Sequence, residues 1–378
     1  MTIRAWISVL LILYLLTAPA RAQERALAYA WQRSHAPAGM SLENRASAIG
    51  ADGSLVVLGL QRPLSVGKDR SADKGWIGIF SASGAIKDEF SFVLRAGDRA
   101  VQEIDALAIA SNGQFIVAGQ ALDGESLLVA VGRGTVKTLR SLGKKRLAFV
   151  LCLADGDLVL GGRDGRDLYA AWLKADGTLV REHRLDRGFD ELFVAGVAKG
   201  GDVVMLEHSG VREQFFMRDA VAGLTVLNKE SKRIGAPGFS TPGRAGALVS
   251  SGKGYALLID TGTGVQQNLK FMRLNEAFKS TTGTTVLSTR FSLERARMAR
   301  RKTGGYIVAA MDGITLIFLQ IDEAGAVTAR LDNPPDRGFL HPDVISADET
   351  FAVATEVTAN KGSAGAQTLL YVAKFASY

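Results

Sequence analysis

The residues whose types and spacing point to chemistry are mainly cations, which recur in the connections between short apolar segments. Basic side chains of this kind attract acidic protein surfaces, anionic glycans and phosphate-bearing groups. We expect them to gather on one face, because the connections that carry them occupy equivalent places in a repeat. The residues predicted to contact such a partner are Arg95, Arg99, Lys144, Lys145, Arg146, Arg184, Arg187, Arg233, Arg295, Arg337 and His341. A solvated face, on which the arginines pair with acids of the same loops, is the alternative interpretation.

Acidic residues recur just before the first apolar segment of several repeats, where they would line a common opening. They are Glu43, Glu103, Asp105, Asp190, Glu191, Glu294 and Asp343. Converging carboxylates would suit Ca²⁺, which prefers oxygen ligands, but no EF-hand spacing is present. Ion pairs with neighbouring arginines are the favoured interpretation, so no metal site is predicted.

The histidines give no metal-binding pattern. No two of them lie at the spacing His-x-x-x-His that would place both rings on one metal. His341 precedes Pro342 in a predicted connection between repeats, and His208 falls in a predicted loop; both are expected at the surface. The four histidines are His35, His183, His208 and His341.

Other catalytic signatures are missing from the sequence. Asp164 and Asp167 could pair as acid and base, although Asp-Gly-Arg-Asp is also ordinary turn chemistry. Cys152 lies in an apolar run and is expected to be an inert, buried thiol. No G-x-S-x-G elbow, P-loop or dinucleotide fingerprint occurs, so no cofactor is predicted.

A repeated unit carries these candidates. The clearest copy, Leu151–Leu185, contains four short strand patterns joined by Asp-Gly turns, which are strong hairpin signals. A turn followed by an apolar run occurs seven times, roughly 43 to 60 residues apart, at 51–53, 111–113, 154–156, 199–201, 252–254, 303–305 and 347–349. One four-stranded sheet cannot bury both of its faces, so the copies must pack on each other. This pattern predicts an all-β fold, a seven-bladed β-propeller of four-stranded antiparallel blades.

The unit resembles the divergent repeats of bacterial exported propellers, which are related in style to Kelch and quinoprotein blades. The third copy carries the resemblance in Asp155-Gly156, in Gly161-Gly162 and in the run from Trp172 to Gly177. The quinoprotein tryptophan-docking motif is not visible, so no quinone cofactor is implied. The resemblance covers nearly all of residues 23–378 and implies a fold, not an activity. Trp31, Trp76 and Trp172 are expected to pack between blades.

The two ends of the repeat region predict how the ring closes. The seventh copy runs out at its third strand, Thr368–Phe375, and Ala26–Gln32 resembles a lone outer strand. We predict that Leu27–Arg33 pairs with Leu369–Phe375, because pairing removes an exposed strand edge. A frayed N-terminal tail is the alternative.

The N-terminal residues favour export. Met1–Ala22 has the pattern of a signal peptide, with Arg4, an apolar stretch too short to span a bilayer and the cleavage sequence Ala20-Arg21-Ala22. An uncleaved anchor is the alternative. The net charge of +7 would fall to +5 without Arg4 and Arg21. We therefore expect a periplasmic or secreted protein whose residues 23–378 form one domain.

The expected function is that of a non-enzymatic, monomeric binding propeller whose basic face contacts a protein or an anionic envelope component. An inhibitor or immunity-type protein is one form of this, and a scaffold in an envelope complex is another. The competing class is a propeller hydrolase or lyase acting on an anionic carbohydrate or lactone, with carboxylates and His341 at the mouth. Nucleic acid is not an expected partner, since no recognition helix or aromatic–basic stacking pattern occurs. Specificity would lie in the loops Gln61–Gly75, Lys229–Arg244, Asp332–Asp343 and Thr358–Gln367.

Overall fold

A computed structural model gives the architecture. It describes residues 27–376 except 65–72, 94, 97–98, 186–192, 200–201, 214–215, 229, 231–238, 263–265, 290–295, 314, 334–337, 347–349 and 359–366. Its strands form antiparallel sheets, each built from consecutive segments apart from one N-terminal strand. No helix long and apolar enough to cross a membrane lies among these residues.

The first three sheets follow each other along the chain. In blade one the strands are Met40–Ile49, Leu55–Pro63, Lys74–Phe80 and Ile86–Val93. In blade two they are Arg99–Ile109, Phe115–Ala121, Ser126–Gly132 and Thr135–Ser141, with the two-residue strand Arg95–Ala96 paired to the first. In blade three they are Lys145–Cys152, Leu158–Asp164, Asp167–Leu173 and Leu179–Leu185.

The remaining four sheets repeat the arrangement. In blade four the strands are Phe193–Lys199, Asp202–Glu213, Phe216–Leu227 and Ser240–Pro242. In blade five they are Arg244–Ser251, Gly254–Asp260, Gln267–Asn275 and Ser280–Thr289. In blade six they are Arg297–Arg300, Tyr306–Asp312, Thr315–Ile321 and Val327–Asp332. In blade seven they are Gly338–Ser346, Thr350–Thr358, Gln367–Phe375 and the N-terminal Tyr29–His35.

These sheets form a seven-bladed β-propeller, as the repeat predicted. Positive φ angles explain why glycine recurs in the turns: Gly53 has φ 76°, Gly113 has φ 80° and Gly156 has φ 85°. A side chain there would be strained, because L-residues other than Asn and Asp rarely adopt this conformation.

The core lies between the blades. Among the described residues, buried hydrophobic side chains form seven clusters, each shared by two neighbouring blades. The second and third strands of a blade are buried on both faces, which explains their continuous apolar runs: Leu55, Val57 and Leu58 are all fully buried. Trp76 and Trp172 are buried in these clusters, and Trp31 packs on the interface of blades seven and one, as predicted.

Ring closure follows the prediction, with the N-terminal strand beginning two residues later than expected. Tyr29 pairs with Phe375, His35 pairs with Leu370, and the strands are antiparallel. The N-terminal strand also contacts blade one, since Trp31 Nε1 donates a hydrogen bond to the Ala82 carbonyl at 2.9 Å. His35 Nε2 lies 2.9 Å from Glu89 Oε2 of the same blade. One strand therefore joins the last blade to the first.

Candidate functional site

Two sets of connections share one end of the ring, which we call the top face. They are the loops between blades and the loops between the second and third strands of a blade, because antiparallel strands return alternate connections to the same end. The first strand of each blade lies nearest the central channel. The top face therefore surrounds the channel mouth.

The first strands carry a repeated irregularity near that mouth. In blades one, three and five, one residue of the first strand has no partner on the second: Arg45, Ala148 and Gly246. In blade two the register shifts twice, at Gln102 and at Asp105. In blade seven the two residues His341 and Pro342 are added, and His341 has φ 49°. Such β-bulges change the direction of side chains and are frequent next to functional sites. In blade four the first strand pairs with the second without a bulge.

Glycines on the second strands allow the bulged strands to come close. A Cβ on Gly119 would lie 2.5 Å from the Glu103 carbonyl oxygen, and one on Gly162 would lie 2.1 Å from that of Arg146. Real Cβ atoms do not approach backbone this closely, so only glycine fits. In blades two and three, a glycine at the end of the apolar run is thus the local sequence signal of the bulge.

Four polar residues of blades one and two form what we call the mouth cluster. Arg45 and Asp105 are bulge residues, and Glu43 and Glu103 each lie two positions before one of them in the chain. Arg45 Nη2 donates to Glu43 Oε2 at 2.8 Å. Burial, and then the neighbouring Glu103 carboxylate, raise the pKa of Asp105 to about 6, although the guanidinium groups of Arg146 and Arg45 oppose the rise. Asp105 therefore changes protonation close to neutral pH.

Two cations form what we call the rim pair. Lys144 and Arg146 lie where the chain enters blade three, beside blade two, and both are exposed. Neither makes an ion pair with another residue of the described part of the chain. Arg146 is close enough to Asp105 to lower its pKa, which places the rim pair beside the mouth cluster.

The other two predicted cations of this blade are already paired with acids. Lys145 Nζ donates to the Leu142 carbonyl at 2.8 Å, lies 3.6 Å from Asp164 Oδ2 and sits 4.8 Å from the centre of the Tyr169 ring. Arg184 hydrogen-bonds Asp164 and lies 3.9 Å from Asp167. The Asp164–Asp167 loop therefore anchors cations, in agreement with ion pairing rather than an acid–base pair.

The remaining predicted contact residues divide into two groups. Arg95 and Arg99 lie in a short hairpin at the start of blade two, and only their backbone is described. Arg187, Arg233, Arg295 and Arg337 lie outside the described residues. His341 was expected in an interblade loop but lies in the first strand of blade seven, where its carbonyl accepts a 2.9 Å bond from Asn44 Nδ2.

The acids predicted to line the opening partly converge. Glu43, Glu103 and Asp105 belong to the mouth cluster, whereas Asp190, Glu191 and Glu294 lie outside the described residues. Asp343 accepts a hydrogen bond from Ser47 Oγ of blade one; burial raises its pKa, and Arg297 opposes that rise. No group of three His, Cys, Asp or Glu side chains within the described ranges could hold a metal ion.

The structure also places His208 and Cys152, and the expectation for His208 was wrong. His208 was expected at the surface, but it is 4% exposed within the strand Asp202–Glu213. Its Nδ1 accepts a hydrogen bond from the Ala245 N–H at 3.2 Å, and burial, with the charge of Arg244, lowers its pKa to about 4. Cys152, expected to be a small buried residue, is partly buried and packs against the cluster between blades two and three.

Arg45 is the residue of this site that sequence reasoning missed. Its signal was present: Arg45, Asp105, Ala148, Gly246 and His341 each lie eight positions before the last residue of the turn that follows. The shared offset was not readable as a bulge without the strand register.

Comparisons with known proteins identify the fold and nothing finer. No family profile and no curated protein matches the sequence. The WD40 repeats of RRP9 superpose with a TM-score of 0.58 at 14% identity, over 93% of this chain and 99% of that one. An ulvan lyase gives 0.56 at 10%, over 89% and 95%. A catalytically inactive virginiamycin B lyase from Staphylococcus aureus with quinupristin gives 0.53 at 11%, over 91% and 99%. Similarities at this identity establish the propeller fold alone, since propellers serve many functions.

Proposed function

We propose that this protein is an exported, non-enzymatic β-propeller that binds an acidic protein surface or an anionic envelope component on its top face. The observation that carries the proposal is the rim pair: Lys144 and Arg146 are both exposed, close to the channel mouth and outside any ion pair of the described residues. Cations without internal partners attract anionic groups and speed their encounter with the protein. Export is supported by the N-terminal sequence pattern.

The rigid ring supports the same proposal. The rim pair follows the outer strand of blade two and begins the inner strand of blade three, so both of its ends are fixed by sheet hydrogen bonds. Ser126 also anchors this loop, since its backbone N–H donates to the Gly143 carbonyl at 2.8 Å. A pre-ordered basic site loses little conformational entropy on binding.

Capture of partners from an envelope extract tests the proposal. The double variant Lys144→Glu and Arg146→Glu should lose the partner, because it reverses both charges of the rim pair. The matched control is Lys253→Glu with Lys279→Glu, which makes the same charge change at exposed turns on the opposite face of blade five. Equal loss in both variants would mean that net charge, not the rim pair, governs binding, and would refute the proposal.

The second candidate is a hydrolase or lyase acting on an anionic carbohydrate or lactone, and Asp105 favours it. A carboxyl with a pKa of about 6 can donate and accept a proton near neutral pH, which suits a general acid or base. Turnover that disappears in Asp105→Asn, with no partner captured by the wild-type protein, would place this candidate first.

A further inference from the structure

The channel mouth leaves hydrogen-bonding capacity of both kinds unused. The Nε atom of Arg45 is buried and finds no acceptor among the described residues. Asn44, next to it, is 3% exposed, and its Oδ1 finds no donor there. The Asn44 side chain is held in place, because its Nδ2 donates to the His341 carbonyl at 2.9 Å. A buried donor and a buried acceptor on adjacent residues are both satisfied by hydroxyl groups, which donate and accept.

The charges around the channel mouth limit the chemical class of the ligand further. The mouth cluster holds one guanidinium and three carboxyl groups, so an anionic group placed directly on it would meet like charges. The rim pair beside it offers two cations that have no acid partner in the described part of the chain. A ligand that binds both the mouth cluster and the rim pair must carry hydroxyl groups for the mouth cluster and an anionic group for the rim pair.

Small residues occupy the bulge positions of two other blades. At the bulge level, blade three presents Ala148, which is exposed, and blade five presents Gly246. Blade three is the neighbour of blade two, which carries Asp105, and neither Ala148 nor Gly246 places a large side chain at the bulge of its blade.

We propose that the anionic partner is an acidic polysaccharide, whose hydroxyl groups bind Arg45, Asn44 and the carboxyl groups of the mouth cluster while its anionic groups bind Lys144 and Arg146. This inference rests on the proposed function and names the class of its partner. An acidic protein surface presents carboxylates, but it does not carry several hydroxyl groups beside each charge as every unit of a sugar acid polymer does.

Binding to three soluble polymers tests this with the full chain. Polygalacturonate carries both features, polyglutamate is anionic without ring hydroxyls, and dextran is a neutral polysaccharide. We expect polygalacturonate to bind at least tenfold more tightly than either of the others in isothermal titration. The expected loss is at least tenfold for the rim variant Lys144→Glu with Arg146→Glu. It is at least fivefold for Arg45→Gln, whose circular dichroism and thermal midpoint check that the ring is intact.

The outcomes of these titrations distinguish failure of the polysaccharide inference from failure of the proposed binding function. Equal binding of polyglutamate and polygalacturonate, lost in the rim variant but kept in Arg45→Gln, would overturn the polysaccharide inference and leave the proposed function standing. The same conclusion would follow if neither polymer bound while a protein were captured through the rim pair. Dextran binding as tightly as polygalacturonate, with the rim variant unaffected, would overturn both. Lys253→Glu with Lys279→Glu should bind like wild type in every titration.

Discussion

Replacing Asp105 by asparagine should stabilise the protein at neutral pH. The pKa of Asp105 rises from its ordinary value of 3.8 to about 6, mainly because the carboxylate is buried and secondarily because Glu103 repels it. The charged form is therefore disfavoured in the folded state by about two pKa units, or about 3 kcal/mol at 1.36 kcal/mol per unit. This shift already contains the attraction of Arg146 and Arg45, so the neutral amide removes the net penalty.

The sign of the pH dependence follows from proton counts. Between pH 4 and pH 6 the folded state holds the Asp105 proton more tightly than the unfolded state does. The contribution of Asp105 to the free energy of unfolding therefore falls as the pH rises through this window and is constant above it. The difference between Asp105→Asn and wild type should be well under 1 kcal/mol at pH 4 and up to about 3 kcal/mol at pH 7.5.

Urea unfolding at pH 4 and pH 7.5 measures this difference. In thermal melts it corresponds to about 4 °C at pH 7.5, given about 2.1 cal/mol/K of unfolding entropy per residue for about 350 residues. The matched control is Asp123→Asn in the same blade, where the exposed side chain caps the Glu125 N–H and an amide can do the same. A stability difference for Asp105→Asn that is the same at both pH values, or that favours wild type at pH 7.5, would refute the reasoning.

Three further predictions concern burial, close packing and ring closure. Because the pKa of His208 lies near 4, below the ordinary 6.5, protonation of His208 should lower the free energy of unfolding by about 3 kcal/mol as the pH falls from 6.5 to 4, opposite in sign to the Asp105 contribution, and His208→Gln should lack the His208 contribution in urea titrations. Gly119→Ala should cost about 1–3 kcal/mol through the backbone clash, whereas Gly223→Ala, with its nearest neighbour 3.9 Å away, should unfold like wild type in urea. Tyr29→Ala should cost about 2 kcal/mol in the same assay, since the ring packs 5.5 Å from Phe375 and closes the propeller; an unchanged midpoint would mean that the N-terminal strand contributes nothing.

Local sequence rules account for most of the fold. The turns need positive φ at Gly53 and Gly156, so their glycines mark the blades even where other residues diverge. The closing strand was predictable because a blade with three strands leaves an edge that another segment must cover. Its start differed by two residues, and its register contains an irregularity between Tyr29 and Trp31 that no sequence pattern shows.

The candidate site was less predictable because it depends on register and on distant partners. Asp105 was found among the acids before the first strands, but Arg45 was missed, since its place in the bulge and its interactions with Glu43 and Asp105 depend on the strand register. Lys145 and Arg184 had the same sequence character as Lys144 and Arg146. The difference arises because Asp164, on another strand, forms ion pairs with Lys145 and Arg184 but not with Lys144 or Arg146.

Hydrogen–deuterium exchange with and without the captured partner tests the central claim, that the top face at the channel mouth is the functional surface. The account predicts slower exchange at residues 43–46, 103–106 and 143–147, with the turns at 154–156 and 252–254 on the opposite face unchanged. Protection confined to those opposite turns, with the channel mouth exchanging as in the free protein, would contradict it.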